Sequence, residues 1–310
     1  MMVPMNVTIR QLRVFCAVYE LKNFTLAADA MHMTQSAVSK VCAELEAEVG
    51  IPLFERTTRR VEPCDGTAEF YAHAQDILGS LRAAERSVRG MRDLESGSVS
   101  FSASPMMIFA LLRPVIAQFH RAHPKISLAL HELSTEETVE FVRTAKSDFG
   151  LLSYTGHDPQ LSARVVLRQP IQLAVPQGHA LSDAQDVAWA ELARHQHITL
   201  RSAYSVRHTI DRMLKSRGLL LPSAIQAGTL ASALALVREG LGVALIPSYA
   251  SPVAREMGLK VLDVGGAEPE LHALSLLTRR DAKLSLAAKA FEQVLDDYLL
   301  PLSVPPSLGH

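Results

Sequence analysis

A seven-residue stretch carries Thr34, Gln35, Ser36, Ser39 and Lys40, and Arg56, Arg59 and Arg60 gather a little further on. These residue types suit nucleic-acid contact. A Gln amide can bridge N6 and N7 of adenine, hydroxyls take phosphate or base contacts, and Lys and Arg supply charge to phosphates. A second set is polar and dispersed: Ser104-Pro105, Ser134-Thr135, the run from Ser202 to Ser205, and Gly228-Thr229. Each falls where a predicted strand gives way to a helix, the place at which open α/β sheets bind ligands. Helix N-termini there offer unpaired N–H groups and partial positive charge, which favours an anion.

Other chemistries find little footing. No G-x-S-x-G, S-x-x-K or phosphate-loop pattern occurs, so neither catalytic residues nor a cofactor is expected. His195-x-His197 and His120-x-x-His123 have no acidic or Cys partner in register, and no metal is expected. Gly240-Leu241-Gly242 follows a predicted helix and precedes a strand, the reverse of dinucleotide-binding order, and reads as a helix cap. Cys16, Cys42 and Cys64 are odd in number and lack C-x-x-C spacing, so reduced thiols are expected rather than a disulfide framework.

The elements that must position these residues follow from periodicity. Apolar residues at 9, 12, 15, 16 and 19 line one helical face; a short helix follows over 24–31 with Asn23 as its cap. A third helix starts after Thr34 and stops at Gly50. The segment 51–63 is bracketed by Pro52 and Pro63 and rich in β-branched residues, which predicts a basic hairpin. Three helices and such a hairpin make a winged helix-turn-helix over 1–63, with the start of the third helix facing base edges. Over 64–94 the apolar positions Phe70, Ala74, Ile77, Leu81, Ala84, Val88 and Met91 alternate at spacings of four and three, the seam of a dimerising helix. From residue 98 strands and helices alternate, which is α/β order.

Composition agrees: 310 residues, 48% apolar and 20% charged, suit two or more folded units. The net charge of −1 requires any DNA contact to come from a local basic patch. The first fifteen residues lack a signal-peptide pattern and the apolar run 230–246 is broken by Arg238 and Glu239, so a soluble, cytoplasmic chain without membrane association is expected.

At this point the residues carry a family likeness. Residues 5–92 resemble the DNA-binding domain and linker helix of LysR-type transcriptional regulators, through F-T-x-A-A at Phe24, T-Q-S-A-V-S at Thr34 and G-x-P-L-F-x-R-T at Gly50. RPVIAQFHRAHPKISLAL, SDFGLL and LVREGLGVALIP resemble the effector-binding domain of the same family. The resemblance implies an α/β, periplasmic-binding-protein-like effector domain over 98–303. It would consist of two Rossmann-like subdomains, 98–165 plus 267–303 and 168–264, with crossovers near Leu167 and Val264. Matching positions one by one, it implies effector contacts from Ser104, Met106, Thr135, Ser153, Tyr204, Ser205 and Thr229. It also implies promoter DNA, a small-molecule co-inducer and the chain itself as partners, as a dimer joined into a homotetramer, with RNA polymerase a further candidate.

Three departures stand out. The family usually has Arg where Lys40 stands, so a point charge replaces a fork. The linker start reads Cys64-Asp65-Gly66-Thr67 in place of T-x-x-G, with Asp65 a candidate cap. Met106 stands where members that bind small anions place Ser or Thr, which points to an organic acid of apolar character. A small-molecule binding protein without a regulatory role is the alternative, but it has no use for Arg59 and Arg60. An enzyme fused to a DNA-binding domain would need a catalytic constellation in the cleft.

Overall fold

The computed structural model describes residues 6–56, 61–90, 97–184, 186–265 and 271–304. The chain divides into two compact units, residues 1–85 and 86–310.

Caps explain where the helices of the first unit begin and end. Helix α1 (Ile9–Leu21) opens on a capping box between Thr8 and Gln11, and α2 (Phe24–Ala30) on Asn23, whose side-chain oxygen Oδ1 accepts the amides of Thr25 and Leu26. Helix α3 (Gln35–Val49) starts at Thr34, which accepts the Ala37 amide, and ends at Gly50 in left-handed backbone with φ 82°. Their apolar faces meet around Phe15, fully buried and in contact with the rings of Phe54 and Phe70. Strands β1 (Phe54–Arg56) and β2 (Val61–Pro63) pair antiparallel. Glu46 of α3 accepts the amides of Leu53 and Phe54 at 2.9 and 3.1 Å and so fixes the base of this hairpin.

Helix α4 (Thr67–Gly90) begins one residue after Gly66, whose φ is 82°. Asp65, the expected cap, therefore lies one position too early. Thr67 is instead fully buried and donates to the Leu53 carbonyl at 2.9 Å, tying the helix to the hairpin. The expected seam is divided by burial. Phe70, Ala74 and also Leu78 pack into the core of the first unit, whereas Ile77 is 49% exposed. Tyr71 stacks on Tyr19 at 4.1 Å, and Tyr71 and Gln75 both donate to one carboxylate oxygen of Glu20, at 2.7 and 2.8 Å.

The second unit is α/β. Its first lobe holds β3 (Gly97–Ala103), α5 (Arg113–Ala122), β4 (Ile126–Glu132), α6 (Thr135–Arg143) and β5 (Phe149–Leu152). Between β3 and α5 lies a six-residue π-helical segment, Met107–Leu112. The long β6 (Leu161–Val175) leads to the second lobe, with β7 (Asp186–Val187), α7 (Trp189–Leu192), β8 (His197–Leu200), α8 (Ser205–Lys215), β9 (Ser223–Ala227), α9 (Leu230–Arg238), β10 (Ala244–Pro247), α10 (Ser251–Glu256) and β11 (Lys260–Val264). Strand β12 (Leu271–Arg279) and α11 (Leu286–Leu299) return to the first lobe.

Strand order is β4-β3-β5-β12-β6-β11-β7, with β10 also on β6 and β8 paired to β9. Strand β6 joins the lobes: up to Pro170 it pairs with β12, and from Ile171 onward with β10 and β11. At that crossing Gln169 and His272 face each other in register, both buried. Gly242, with φ 153°, brings its backbone so close to Gln196 that a Cβ would sit 2.6 Å from that carbonyl, so the pair Gly240-Gly242 is a helix stop and a close approach.

Candidate functional site

Thr34, Gln35, Ser36 and Lys40 stand exposed at the start of α3, with Ser39 half-buried. The N-terminus of a helix aims side chains outward at a shallow angle, which suits insertion into a major groove. Thr34 is partly committed, since its hydroxyl caps the helix and bonds Ser36 at 3.1 Å. Among the described residues Lys40 pairs with Glu44, 4.0 Å away, and its side chain is 79% exposed, so the ammonium stays available. Arg56 ends β1. Arg59 and Arg60 lie outside the described residues.

In the second unit the strand ends converge on a cleft between the lobes. A cavity of about 190 Å3 is lined by Ser104, Met106, Phe109, Glu132, Leu200, Tyr204, Val206, Thr229, Leu230, Ala231 and Tyr249, among others. Of the expected effector residues, Ser104, Met106, Tyr204 and Thr229 border it. Thr135 and Ser205 border an adjoining space of only about 20 Å3, together with Ser104, Tyr204 and Tyr249. That space is closed by the protein's own bonds. The Ser205 amide at the start of α8 donates to the Thr135 hydroxyl at 2.7 Å, and the Ser153 amide donates to the Ser205 hydroxyl at 3.2 Å. Ser153 lines neither space, and its hydroxyl lies 3.5 Å from that of Thr209. Thr135, Ser153, Ser205 and Thr209 thus fasten the two lobes together, while Thr229 accepts the Ser232 amide and caps α9.

The lining residues that escaped the sequence reading include Phe109, Tyr249 and Glu132. Phe109 is brought to the cleft by the π-helical segment, Tyr249 by the turn after β10, and Glu132 by the last position of β4. The strand-end rule could have found Tyr249 and Glu132; Phe109 depends on a helical irregularity that no periodicity announces. Tyr249 joins the cavity to the lobe crossing. Its hydroxyl bonds Ser104, and its amide donates to the Gln169 side-chain carbonyl at 2.9 Å. Burial raises its phenol well above the ordinary range, the Ser104 bond opposes part of that rise, and the group stays protonated.

His197, His195 and His123 each have a local neighbour. His197 is buried and its Nε2 donates to the Leu192 carbonyl at 2.8 Å, His195 faces Glu191 at 3.5 Å, and His123 lies against the Phe119 ring. Among the described residues no group of three or more His, Cys, Asp or Glu is arranged to hold a metal, and no helix is long and apolar enough to cross a membrane.

Comparison with known proteins covers both units. The family model for the "Bacterial regulatory helix-turn-helix protein, lysR family" matches residues 9–65, and that for the "LysR substrate binding domain" matches 92–299. The HTH-type transcriptional regulator YfeR of Shigella flexneri is 29% identical over 293 residues, 94% of each chain. The solved structure of CbnR, a LysR family transcriptional regulator, is similar with a TM-score of 0.69 at 19% identity, over 94% of this chain and 99% of that one. The effector binding domain of QuiR in complex with shikimate covers 67% of this chain and 100% of its own, with a TM-score of 0.61 at 16% identity. At such identities the structural likeness is one of fold.

Proposed function

The chain belongs to the LysR family of transcriptional regulators, a family of regulators and not of enzymes, and from that membership we propose that it binds promoter DNA under the control of a small organic acid. Gln35 and Ser39 read base edges, Thr34, Ser36 and Lys40 grip the backbone at the start of α3, and Arg56, Arg59 and Arg60 in the wing hold phosphates. Two copies associate along α4 and two dimers join through the second unit, in the cytoplasm, with RNA polymerase a further partner.

The observation that supports an organic acid is the cavity between the lobes. Met106, Phe109, Leu200, Tyr204 and Val206 give it apolar walls, and the first residues of α9, Leu230 and Ala231, border it. Unpaired amides of a helix's first turn attract a carboxylate. Apolar walls of this size favour a ring or short chain over a bare inorganic anion, since about 150 Å3 of apolar cavity takes up a benzene ring. QuiR, alike in fold, was solved with shikimate bound.

A salt-dependent gel shift on the DNA upstream of the chain's own gene tests the regulatory half. Retention that weakens steeply with salt is expected; no retention at low salt would leave the alternative, a small-molecule binding protein without a regulatory role. Thermal-shift screening tests the effector half. Aromatic carboxylates such as benzoate should raise the melting temperature, less so in Met106→Thr. Stabilisation by sulfate and phosphate alone, unchanged in Met106→Thr, would overturn it.

A further inference from the structure

Charge in the cleft is one-sided. Among the described residues that line the 190 Å3 cavity, Glu132 is the only one with a carboxyl group, and no Lys, Arg or His borders it. Glu132 ends β4 on the first lobe, in register with Ala103 and therefore beside Ser104, and is exposed at the cavity rim. Its carboxylate makes no hydrogen bond or ion pair among the described residues. Arg113 lies over the Phe109 ring at 5.5 Å and lines an outer groove instead, and Arg201 borders no part of the cavity. Across the cavity the second lobe contributes the first turn of α9 through Leu230 and Ala231.

We propose that Glu132 sets effector specificity: the cleft selects a single-ring acid that carries one carboxylate and, on its opposite end, a cationic or hydrogen-bond-donating group such as an ammonium or hydroxyl. This role of Glu132 rests on the cleft being the organic-acid site proposed above and determines which acids that site takes. The ligand's carboxylate meets the amides of α9, its ring fills the space between Met106, Phe109 and Tyr204, and its donor faces Glu132. A second carboxylate at that end would meet a like charge with no cation between them, and in a partly desolvated cleft such repulsion is far stronger than in water. A ligand of this shape also binds one group on each lobe, so its length matches one cleft opening.

The test uses the full chain with benzoate, 4-(aminomethyl)benzoate and terephthalate, three compounds with the same ring and different far ends, titrated by calorimetry. In the unaltered protein 4-(aminomethyl)benzoate should bind tightest and terephthalate at least tenfold more weakly than benzoate. Glu132→Gln keeps the shape and removes the charge, and should bring the three within about threefold of one another, while Glu132→Lys should make terephthalate the tightest. Terephthalate binding as tightly as the ammonium compound in the unaltered protein, or a ranking that neither variant changes, would overturn the role of Glu132 and leave the organic-acid site standing. Absence of binding by all three, at millimolar concentration and in all three proteins, would instead overturn the organic-acid site and this inference with it.

Discussion

Gln35 and Lys40 sit on the same exposed end of α3, yet they should answer to different parts of a duplex. A Gln amide can make two hydrogen bonds to one adenine, so Gln35→Ala should cost about 1–3 kcal/mol at a single base pair and little elsewhere. Lys40 offers a point charge, and its pairing with Glu44 at 4.0 Å is too exposed to hold it back. Lys40→Ala should therefore weaken all sequences alike and reduce the slope of log affinity against log salt by about one. Competition gel shifts over a set of single-base operator variants, repeated across salt, separate the two. A Lys40→Ala protein with altered base preference and an unaltered slope would reverse these roles.

At the scale of the element, α4 carries two apolar faces with different duties. Leu78 is 5% exposed in the core of the first unit, and Leu78→Ala should destabilise that unit by about 2–5 kcal/mol. Ile77, next to it in sequence, points away from that core and is 49% exposed. Leu81, half-buried, continues the heptad from Ile77. Leu81→Asp should lower the mass measured by sedimentation and weaken DNA binding while thermal unfolding of the first unit stays within about 1 kcal/mol of the parent. Unchanged mass and DNA affinity would remove α4 as the dimerising element. The Tyr71–Glu20–Gln75 cluster fixes the helix on α1, so any strain in α4 bears directly on the reading head.

At the scale of the whole molecule, the lobe crossing makes stability depend on pH. His272 is fully buried, neither ring nitrogen has a hydrogen-bond partner among the described residues, and burial, aided by the nearby Arg212, lowers its pKa to about 4. The unfolded chain takes up a proton near pH 6.5 and the folded chain only near pH 4. Stability from this residue is therefore complete above about 6.5 and is lost as pH falls toward 4, by roughly 3 kcal/mol. The single Trp of the chain, Trp189, lies in the same unit, so its fluorescence during urea unfolding reports the relevant transition. His272→Leu should flatten the profile between pH 6.5 and 4; an equally steep profile in the variant would assign the acid sensitivity to other groups.

The sequence by itself determined the parts of this protein that are local. Thr34, Asn23 and Gly50 bound their helices because capping is settled within three or four residues. Family motifs between Phe24 and Thr57 are enough to propose a DNA-reading surface, because the residues proposed for it lie close together in sequence. The strand-end rule likewise brought Ser104, Tyr204 and Thr229 to one cavity. What only the tertiary structure decided is which polar groups remain available after the lobes meet. Ser205, Thr135 and Ser153 spend hydrogen bonds on each other across the lobes, more than fifty residues apart in sequence, and Ser104 is engaged in the same way by the Tyr249 hydroxyl. The division of the α4 seam has the same origin: a heptad records which residues share a face, and the position of Phe15 decides how much of that face the first unit covers. Glu132 gains its meaning in the same way, because a carboxylate at a strand end is ordinary until the walls around it are found to hold no opposite charge.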